Sequence, residues 1–544
     1  MILAAPSWLT QRIVLPLTGW PLGLLVAAFV VPGLFGHDPW KTEDAVGFGI
    51  VWQMVTSGDW LTLGLAGEPY YEDGPLYYWT SALALKSLGW ALTPHDAARV
   101  ASAVYMLLAL WFVRLAARDL YGKVQGDLSM LALLGCVGLM WHAHETAAET
   151  AMLAGLAAAY YGLAISHKKP YKAALVFGCG TGVAFLAKGL MAALQPFAAA
   201  LLVLPLSGVF RARNYALSVA LGLAVLAPFV TVWPLVAASR APEYLASWRA
   251  WQIASVGTAP GWEDVVYYVK TFAWAAWPVW PLGLWATWEY RRYLRDPGFA
   301  VPFIGAIVGI ALLLLGAHAS EMNALAVLVP LAIPAGAAAV GLRRGAANAL
   351  AWFSIMTFTL AAGFAWTMWF VALTGFPPQI ERNITKLQPG FVFEYQWLPY
   401  LVAAALTVGW FVLVLRSERS TLRALTFWAA GMTLGWGLAT TLALDWIDFG
   451  KTYRRVGTSL AHQLPNGHGC VESRDLGETQ RAAFHYHAGV LTKRAEVYGV
   501  TDCPFLLIQG RAGAAPPDPG PQWTRVWEGQ RPRDREHYHL YRRS

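Results

Sequence analysis

The chain of 544 residues is 57% apolar, carries a formal net charge of +8 and has a mean hydropathy of +0.44. This composition is typical of a polytopic α-helical membrane protein and excludes an ordinary soluble globular protein. Basic connections on the cytoplasmic side of a membrane then account for the positive charge, so no nucleic-acid partner is predicted.

About 20 consecutive apolar residues are needed for a helix to cross a bilayer. By this measure the sequence predicts about 13 transmembrane helices, the first of them uncleaved because no small-residue cleavage site follows it. They lie near residues 13–35, 99–117, 127–142, 147–166, 173–188, 190–209, 215–237, 271–289, 299–316, 324–342, 347–372, 397–415 and 424–444.

Basic residues occur in alternate connections between these spans. The basic connections lie near residues 12, 114–123, 168–172, 211–213, 291–295, 343–344 and 416–423. Short basic connections face the cytoplasm, which predicts a cytoplasmic N-terminus. The same alternation predicts a membrane domain at 1–447 with an external loop at 36–98, followed by an external soluble domain at 448–544.

The external loop combines acidic and aromatic side chains. Seven carboxylates lie between residues 38 and 73, and tryptophans and tyrosines are interspersed among them. Acids beside amphipathic rings at a membrane surface are suited to binding a polar head group. An ordinary acidic outer loop is the alternative interpretation.

Two motifs in this loop resemble a known family. The pair Glu43-Asp44 opens a short helix, and the segment 70–76 reads Tyr-Tyr-Glu-Asp-Gly-Pro-Leu. They are similar to the first periplasmic loop of membrane glycosyltransferases of the GT-C class, above all the lipid A aminoarabinose transferases and protein O-mannosyltransferases. The family motifs are Asp-Glu and Tyr-Phe-Glu-Lys-Pro-Pro-Leu, so Asp73 stands where the family has a phosphate-contacting lysine.

The resemblance implies roles for the residues of these motifs. Glu43 or Asp44 is expected to act as the general base that activates the acceptor. Tyr70, Glu72 and Asp73 are expected to contact the substrates.

Two further charged residues lie at the ends of predicted spans. Glu149 begins a span, and the family has a second functional acid at this position; a helix N-terminal acid favoured by the helix dipole is the alternative. Lys188 lies in a Lys-Gly motif of the family, at an outer end where the charge rule disfavours a lysine. We therefore expect Lys188 to contact the donor phosphate, with a snorkelling side chain as the alternative.

The later outer connections contain three more candidate substrate-binding residues. Arg249 is expected to meet a lipid phosphate or to anchor the chain at the interface. Glu321 and Asn323 lie in a segment that resembles the family's Arg-Glu-Met-Tyr-Leu-Leu. Relatives often carry a histidine that joins a metal near this site, but none lies between His167 and His318. No residue is therefore predicted to be a metal ligand, although the sequence does not decide whether the protein needs a divalent metal as a cofactor.

The polar C-terminal region is predicted to be a small α/β periplasmic domain that acts as a lid or docking domain. Helices are expected at 451–464 and 478–488, strands at 469–473 and 503–509, and a hairpin formed by 523–527 and 537–541. Cys470 and Cys503 are expected to form a disulfide in an oxidising compartment. Two His-x-His pairs, at 485–487 and 537–539, suit a metal only weakly because no Cys or acid ligand lies at a fixed spacing.

These features predict a GT-C-like glycosyltransferase of the bacterial inner membrane. It would move a sugar from a polyprenyl (undecaprenyl) phosphate donor to a periplasmic acceptor such as lipid A or another envelope glycan. The expected partners are this donor, a lipid or glycan acceptor and membrane lipids. Two alternatives remain: a transporter or flippase for a lipid-linked sugar, and a weakened relative that binds polyprenyl phosphate or a partner protein.

Overall fold

The computed structural model describes residues 17–257, 261–317, 319–465, 467–499, 501–532 and 534–544. Up to residue 451 these are mostly helical, because apolar segments in a bilayer must satisfy their backbone hydrogen bonds internally. The elements of this part are α1 (Trp20–Val30), α2 (Glu43–Ser57), β1 (Gly64–Leu65), β2 (Glu68–Pro69), α3 (Leu76–Leu88), α4 (Pro94–Tyr121), α5 (Lys123–Leu134), α6 (Leu139–His142), α7 (Glu149–Ile165), α8 (Pro170–Lys188), α9 (Leu190–Leu202), α10 (Arg213–Arg240), α11 (Pro242–Ala254), α12 (Trp262–Ala275), α13 (Val279–Glu289), α14 (Pro297–Leu315), α15 (Glu321–Val340), α16 (Arg344–Thr374), α17 (Pro378–Leu387), α18 (Trp397–Arg416), α19 (Arg423–Ala439) and α20 (Leu444–Lys451).

Eight of these helices are long and apolar enough to cross a membrane, so the chain is a multi-pass membrane protein. They are α4, α7, α8, α10, α14, α15, α16 and α18, and each coincides with a predicted span. Helices α19 and α20 add a ninth if the bent pair, with an angle of 66° between its halves, is one span.

The other predicted spans fall on shorter or interrupted helices. The spans near 13–35 and 190–209 correspond to α1 and α9, which have 11 and 13 residues. Those near 127–142 and 271–289 are each divided, into α5 and α6 and into α12 and α13. The number of spans, 13, therefore stays a prediction, and Arg12 and the start of the first predicted span lie outside the described residues.

The C-terminal region has a sheet and helices with a hydrophobic core of their own. Its elements are α21 (Arg454–Gln463), β3 (Val471–Arg474), α22 (Glu478–Ala488), β4 (Thr492–Arg494), α23 (Ala495–Tyr498), β5 (Phe505–Arg511), β6 (Trp523–Gln530) and β7 (Glu536–Arg543). The strand order is β4-β3-β5-β7-β6, with β3 parallel to both of its neighbours and β7 antiparallel to both of its own. The predicted disulfide between Cys470 and Cys503 is confirmed. The short strand β4 and the turn of helix after it were not predicted.

This C-terminal region docks on the loop that contains α2 and α3. Glu68 accepts contacts at 2.6 Å from both Arg481 and Arg494. Asp38 accepts a hydrogen bond from the Thr452 hydroxyl at 2.5 Å and forms an ion pair with Arg454. The loop and the C-terminal region therefore lie on the same side of the helical bundle, as the alternation of basic connections predicts.

Candidate active site

A cavity of about 280 Å³ lies where the loop meets the ends of the membrane helices. We call it the inner cavity. Its lining is acidic at the end nearest α2 and apolar along α9, α14 and α15. Its lining includes Glu43, Tyr70, Glu72, Asp73, Tyr78, Glu149, Lys188, Met191, Trp251, Gln252, Tyr268, Leu312, Leu313, Asn323 and Ala326.

Glu43 is the first residue of α2 and reaches this cavity. An acid in the first turn is stabilised by the helix dipole. Its side chain remains accessible from the cavity, but the surrounding protein and the nearby charge of Glu149 raise its pKa to about 7. A carboxyl with this pKa can exchange a proton near neutral pH, which suits a general base.

Asp44 points away from the cavity and is fully buried. Its carboxylate lies 2.7 Å from Arg99 Nη2 and accepts hydrogen bonds from the backbone N–H of Thr146 at 2.8 Å and of Trp40 at 3.1 Å. The Arg99 guanidinium and these N–H groups hold the pKa of Asp44 well below its usual range, against the effect of burial. This position does not support the expectation that Asp44 is the base, because the carboxylate is buried, makes its contacts within the protein and is absent from the cavity lining.

Lys188 lies between two carboxylates at the edge of the inner cavity. Its Nζ is 2.6 Å from Asp73 Oδ1 and 2.8 Å from Glu149 Oε1. The second oxygen of Asp73 accepts a hydrogen bond of 2.5 Å from the Tyr78 hydroxyl. Among the described lining residues Lys188 is the sole basic side chain, and two acids compensate its charge.

A close backbone approach brings this cluster together. The N–H of Gly74 donates to the carbonyl of Ala187 at 2.9 Å. A Cβ on Gly74 would lie 2.2 Å from the carbonyl oxygen of Leu186, so only glycine fits here. This contact places Asp73 beside the last residue of α8, which is Lys188.

Glu72 and Tyr70 border both the inner cavity and a second one. The Tyr70 hydroxyl donates to Glu72 Oε2 at 3.3 Å, and burial raises the pKa of Glu72. The second cavity, of about 530 Å³, we call the outer cavity. Its lining also includes Glu43 and, from the C-terminal region, Glu478 and Gln480.

Of the three remaining predicted substrate-binding residues, Asn323 lines the inner cavity, whereas Glu321 and Arg249 do not. Asn323 lies there next to Tyr268. Glu321 begins α15, and its Oε1 lies 3.0 Å from His142 Nε2, an ion-pairing position outside the lining. Arg249 is exposed on α11 and is absent from the lining, so its predicted contact with a phosphate is not supported by its position.

The sequence pattern did not identify Gln252 as a site residue. Its Oε1 accepts from the N–H of Leu190 at 3.0 Å, and its Nε2 donates to the carbonyl of Glu72 at 3.2 Å. Trp248, on the same helix, donates its indole N–H to the carbonyl of Asp73 at 2.9 Å. These contacts hold the backbone of Glu72 and Asp73 in place. The only signal in the sequence is the spacing of residues 248 and 252, which places them on the same face of a helix.

The cavity carboxylates do not form a metal-binding group among the described residues. A group of three side chains with potential ligand atoms within 4.8 Å of one another is found only in the C-terminal region. In the cavity, Asp73 and Glu149 direct their oxygens at Lys188 instead.

Part of the chain matches a described protein family. Residues 72–233 match the model of the dolichyl-phosphate-mannose-protein mannosyltransferase family. A curated relative, the undecaprenyl phosphate-alpha-4-amino-4-deoxy-L-arabinose arabinosyl transferase of Aeromonas salmonicida (strain A449), is 25% identical over 185 residues. The match covers 33% of this chain and 34% of the relative, so it spans about a third of each.

The likeness to solved structures extends over nearly the whole chain. The crystal structure of ArnT from Cupriavidus metallidurans bound to undecaprenyl phosphate has a TM-score of 0.67 at 17% identity, covering 95% of this chain and 97% of that one. The apo structure of the same protein gives a TM-score of 0.66 at 18% identity, covering 95% and 96%. The resemblance predicted from the first loop is thus confirmed, and the chain has the GT-C fold of the polyprenyl-phosphate-dependent membrane glycosyltransferases.

Proposed function

We propose that this protein transfers a sugar from a polyprenyl-phosphate donor to an acceptor on the outer side of a bacterial inner membrane. The observation that carries the proposal is the inner cavity, in which Glu43 and Lys188 line one space together with an apolar wall. A lipid-linked sugar phosphate requires these three features: an apolar surface for the chain, a cation for the phosphate and a base for the acceptor.

The apolar wall supports a lipid-linked donor. It is lined by Met191 of α9, Leu312 and Leu313 of α14, and Ala326 of α15. Burial of the polyprenyl chain along these residues would be favourable at about 25 cal/mol per Å². The phosphate would then lie toward the polar end of the cavity.

Lys188 supports binding of the donor phosphate. An ammonium group has three N–H donors, and the carboxylates of Asp73 and Glu149 lie at ion-pair distance from Nζ. A further N–H can be donated to a phosphate oxygen in the cavity. The two acids thus orient the lysine, and they keep it charged because they stabilise the ammonium form.

The transfer itself needs one proton acceptor and one leaving group. Glu43 takes the proton from an acceptor hydroxyl as the acceptor oxygen bonds to the anomeric carbon of the sugar. The bond from that carbon to the phosphate oxygen breaks, and the electron pair leaves with the polyprenyl phosphate. Lys188 stabilises the charge that develops on this phosphate.

The outer cavity supports a separate approach for the acceptor. Glu43, Tyr70 and Glu72 line both cavities, so an acceptor in the outer cavity would meet the base at the shared wall. Donor and acceptor would enter from different directions, the donor from the bilayer and the acceptor from between the loop and the C-terminal region. The likeness to the arabinosyl transferase supports a lipid A or other envelope glycan acceptor.

The test is turnover by the purified full-length protein in detergent with an undecaprenyl-phosphate sugar and a lipid A acceptor. Transfer of the sugar, detected by mass spectrometry of the acceptor, is expected. Glu43→Gln should abolish most of it while donor binding persists. No transfer with a panel of sugars and acceptors, despite measurable donor binding, would contradict the proposal.

One observation favours a second candidate, a relative that binds polyprenyl phosphate without turnover. Asp73 replaces the lysine of the family motif, and it neutralises Lys188 together with Glu149. The cavity then offers the leaving phosphate less positive charge than the family motif does. Asp73→Lys distinguishes the two candidates: a gain of turnover from none would favour the binding protein, and a loss of existing turnover would favour the enzyme.

A further inference from the structure

A cluster of potential metal ligands lies on the C-terminal sheet. Glu528 of β6 pairs directly with His539 of β7. His537 lies two residues before His539, so the two histidines project from the same face of the strand. One ligand atom from each of these three side chains lies within 4.8 Å of the others.

His539 has an unsatisfied polar atom in this cluster. Its relative exposure is 2%, and its Nδ1 has no hydrogen-bond partner among the described residues. A buried nitrogen without a partner costs free energy that a bound ligand would remove. The two imidazole rings are tilted neighbours, with their centroids 4.4 Å apart.

We propose that Glu528, His537 and His539 bind a divalent transition-metal ion of the Zn²⁺ class. Two imidazole nitrogens and one carboxylate oxygen are a ligand set that zinc takes, with a fourth position left to water. Ions such as Ca²⁺ and Mg²⁺ prefer oxygen ligands alone. Two ligands at about 2.1 Å from one ion lie at most about 4.2 Å apart, so small side-chain rotations bring this cluster into range.

One nearby charge opposes the ion. Arg525 Nη1 lies 3.3 Å from Glu528 Oε2, and these side chains are 43% and 56% exposed. An exposed ion pair of this kind contributes little stability, because water and salt screen it. The arginine can therefore swing into solvent when the carboxylate turns toward the ion.

The site is independent of the proposed glycosyl transfer. Tyr538 and Leu540, which alternate with the two histidines, belong to the core that packs against α21 and α22. The ligands are thus on the opposite face of the sheet from α22, the helix that packs on α2. An ion there would join the edge strand β6 to β7 and stabilise the hairpin.

The experiment measures Zn²⁺ binding by the full-length protein in detergent, purified without a polyhistidine tag and stripped of metal. Equilibrium dialysis followed by elemental analysis should show one saturable equivalent per chain. Since loss of even an indirect metal contact weakens affinity about tenfold or more, Glu528→Gln and His537→Gln should each weaken binding at least tenfold. Co²⁺ in place of Zn²⁺ should give the strong visible absorption of a four-coordinate site.

The matched control is His462→Gln, which removes an exposed histidine of α21 in the same region. It should bind Zn²⁺ like the parent protein. Thermal unfolding of each variant without metal should match the parent, which separates loss of a ligand from loss of the fold. Absence of a saturable equivalent, or equal binding by parent and both ligand variants, would overturn the proposal, as would loss of binding in the control.

Discussion

Two cations near α2, the buried Arg99 and the half-buried Lys188, each lie between two carboxylates but differ in what else they can bind. Arg99 lies between Asp44 and Asp96, at 2.7 and 3.2 Å, and Lys188 lies between Asp73 and Glu149 at 2.6 and 2.8 Å. The hydrogen bonds from Arg99 number five: two to Asp44, one to Asp96, and one each to the carbonyls of His37 and Asp38. A guanidinium has five N–H donors, so none remains for a substrate.

Lys188 differs because it retains a donor and faces a cavity. Ion pairing alone therefore does not identify a binding site, whereas a cation that also faces an open cavity can bind a substrate. The structural ion pairs of Arg99 and the inner cavity are separated by a single residue step. Asp44 pairs with Arg99, whereas its neighbour Glu43 lines the cavity.

The largest effect is expected for Glu43→Gln. The change keeps size and hydrogen bonding but removes proton acceptance, so turnover should fall about 10²–10⁴-fold. Donor affinity and thermal stability should stay close to those of the parent, because the Glu43 side chain is exposed at the cavity and the phosphate contact is assigned to Lys188. Near-parent turnover in a folded variant would move the base to Glu72 or Glu149.

Asp44→Asn, in contrast, should lower the stability of the protein. Removal of one partner from a buried ion pair costs roughly 3–5 kcal/mol, because the other charge is left uncompensated. The free energy of unfolding, measured by denaturant titration in detergent, should fall by this amount. Selective loss of turnover at parent stability would contradict this structural role.

Lys188→Ala should weaken donor binding. A charged hydrogen bond contributes about 1.5–3 kcal/mol, so the Kd for undecaprenyl phosphate should rise about tenfold to 150-fold. Lys172→Ala, at the exposed end of the same helix, serves as the control. The double variant Asp73→Asn/Lys188→Ala also removes the Asp73 carboxylate that Lys188→Ala leaves without its cation. It should be more stable than Lys188→Ala alone but bind the donor no better. Recovery of affinity would argue against the phosphate contact.

The smallest effect is the dependence on pH. A base works in its deprotonated form, and the pKa of Glu43 is raised to about 7. Below this pH, kcat/KM should fall about tenfold per unit, and above it the rate should reach a plateau. The residual activity of Glu43→Gln should lack this inflection. An inflection near 4.5 in the parent would show that a carboxyl with an ordinary pKa is responsible.

The sequence was informative wherever one residue broke a general rule. Lys188 was identified because it lies at an outer end where lysine is disfavoured, and the structure places it in the cavity. The choice between Glu43 and Asp44 could not be made, because both are acids and the helix turns about 100° from one to the next. Only the tertiary position of Arg99 separates them.

The places where the structure departs from the expected pattern have similar causes. Arg249 was chosen for its charge, whereas Trp248 and Gln252 of the same helix make the contacts, since which face packs inward depends on neighbours distant in sequence. The apolar runs near 127–142 and 271–289 read as continuous, but tertiary packing divides them at 135–138 and 276–278. Hydropathy counts apolar residues and does not register where a helix turns.

The docking of the C-terminal region on the loop has a consequence for biosynthesis. The ribosome makes Glu68 more than 400 residues before Arg481 and Arg494, which it contacts in the finished protein. Until those arginines arrive, the Glu68 carboxylate has to be hydrated or held elsewhere, and Glu478 and Gln480 are not yet in place to line the outer cavity. The wall of the outer cavity is therefore completed only after the C-terminal region has been made and has folded onto the loop.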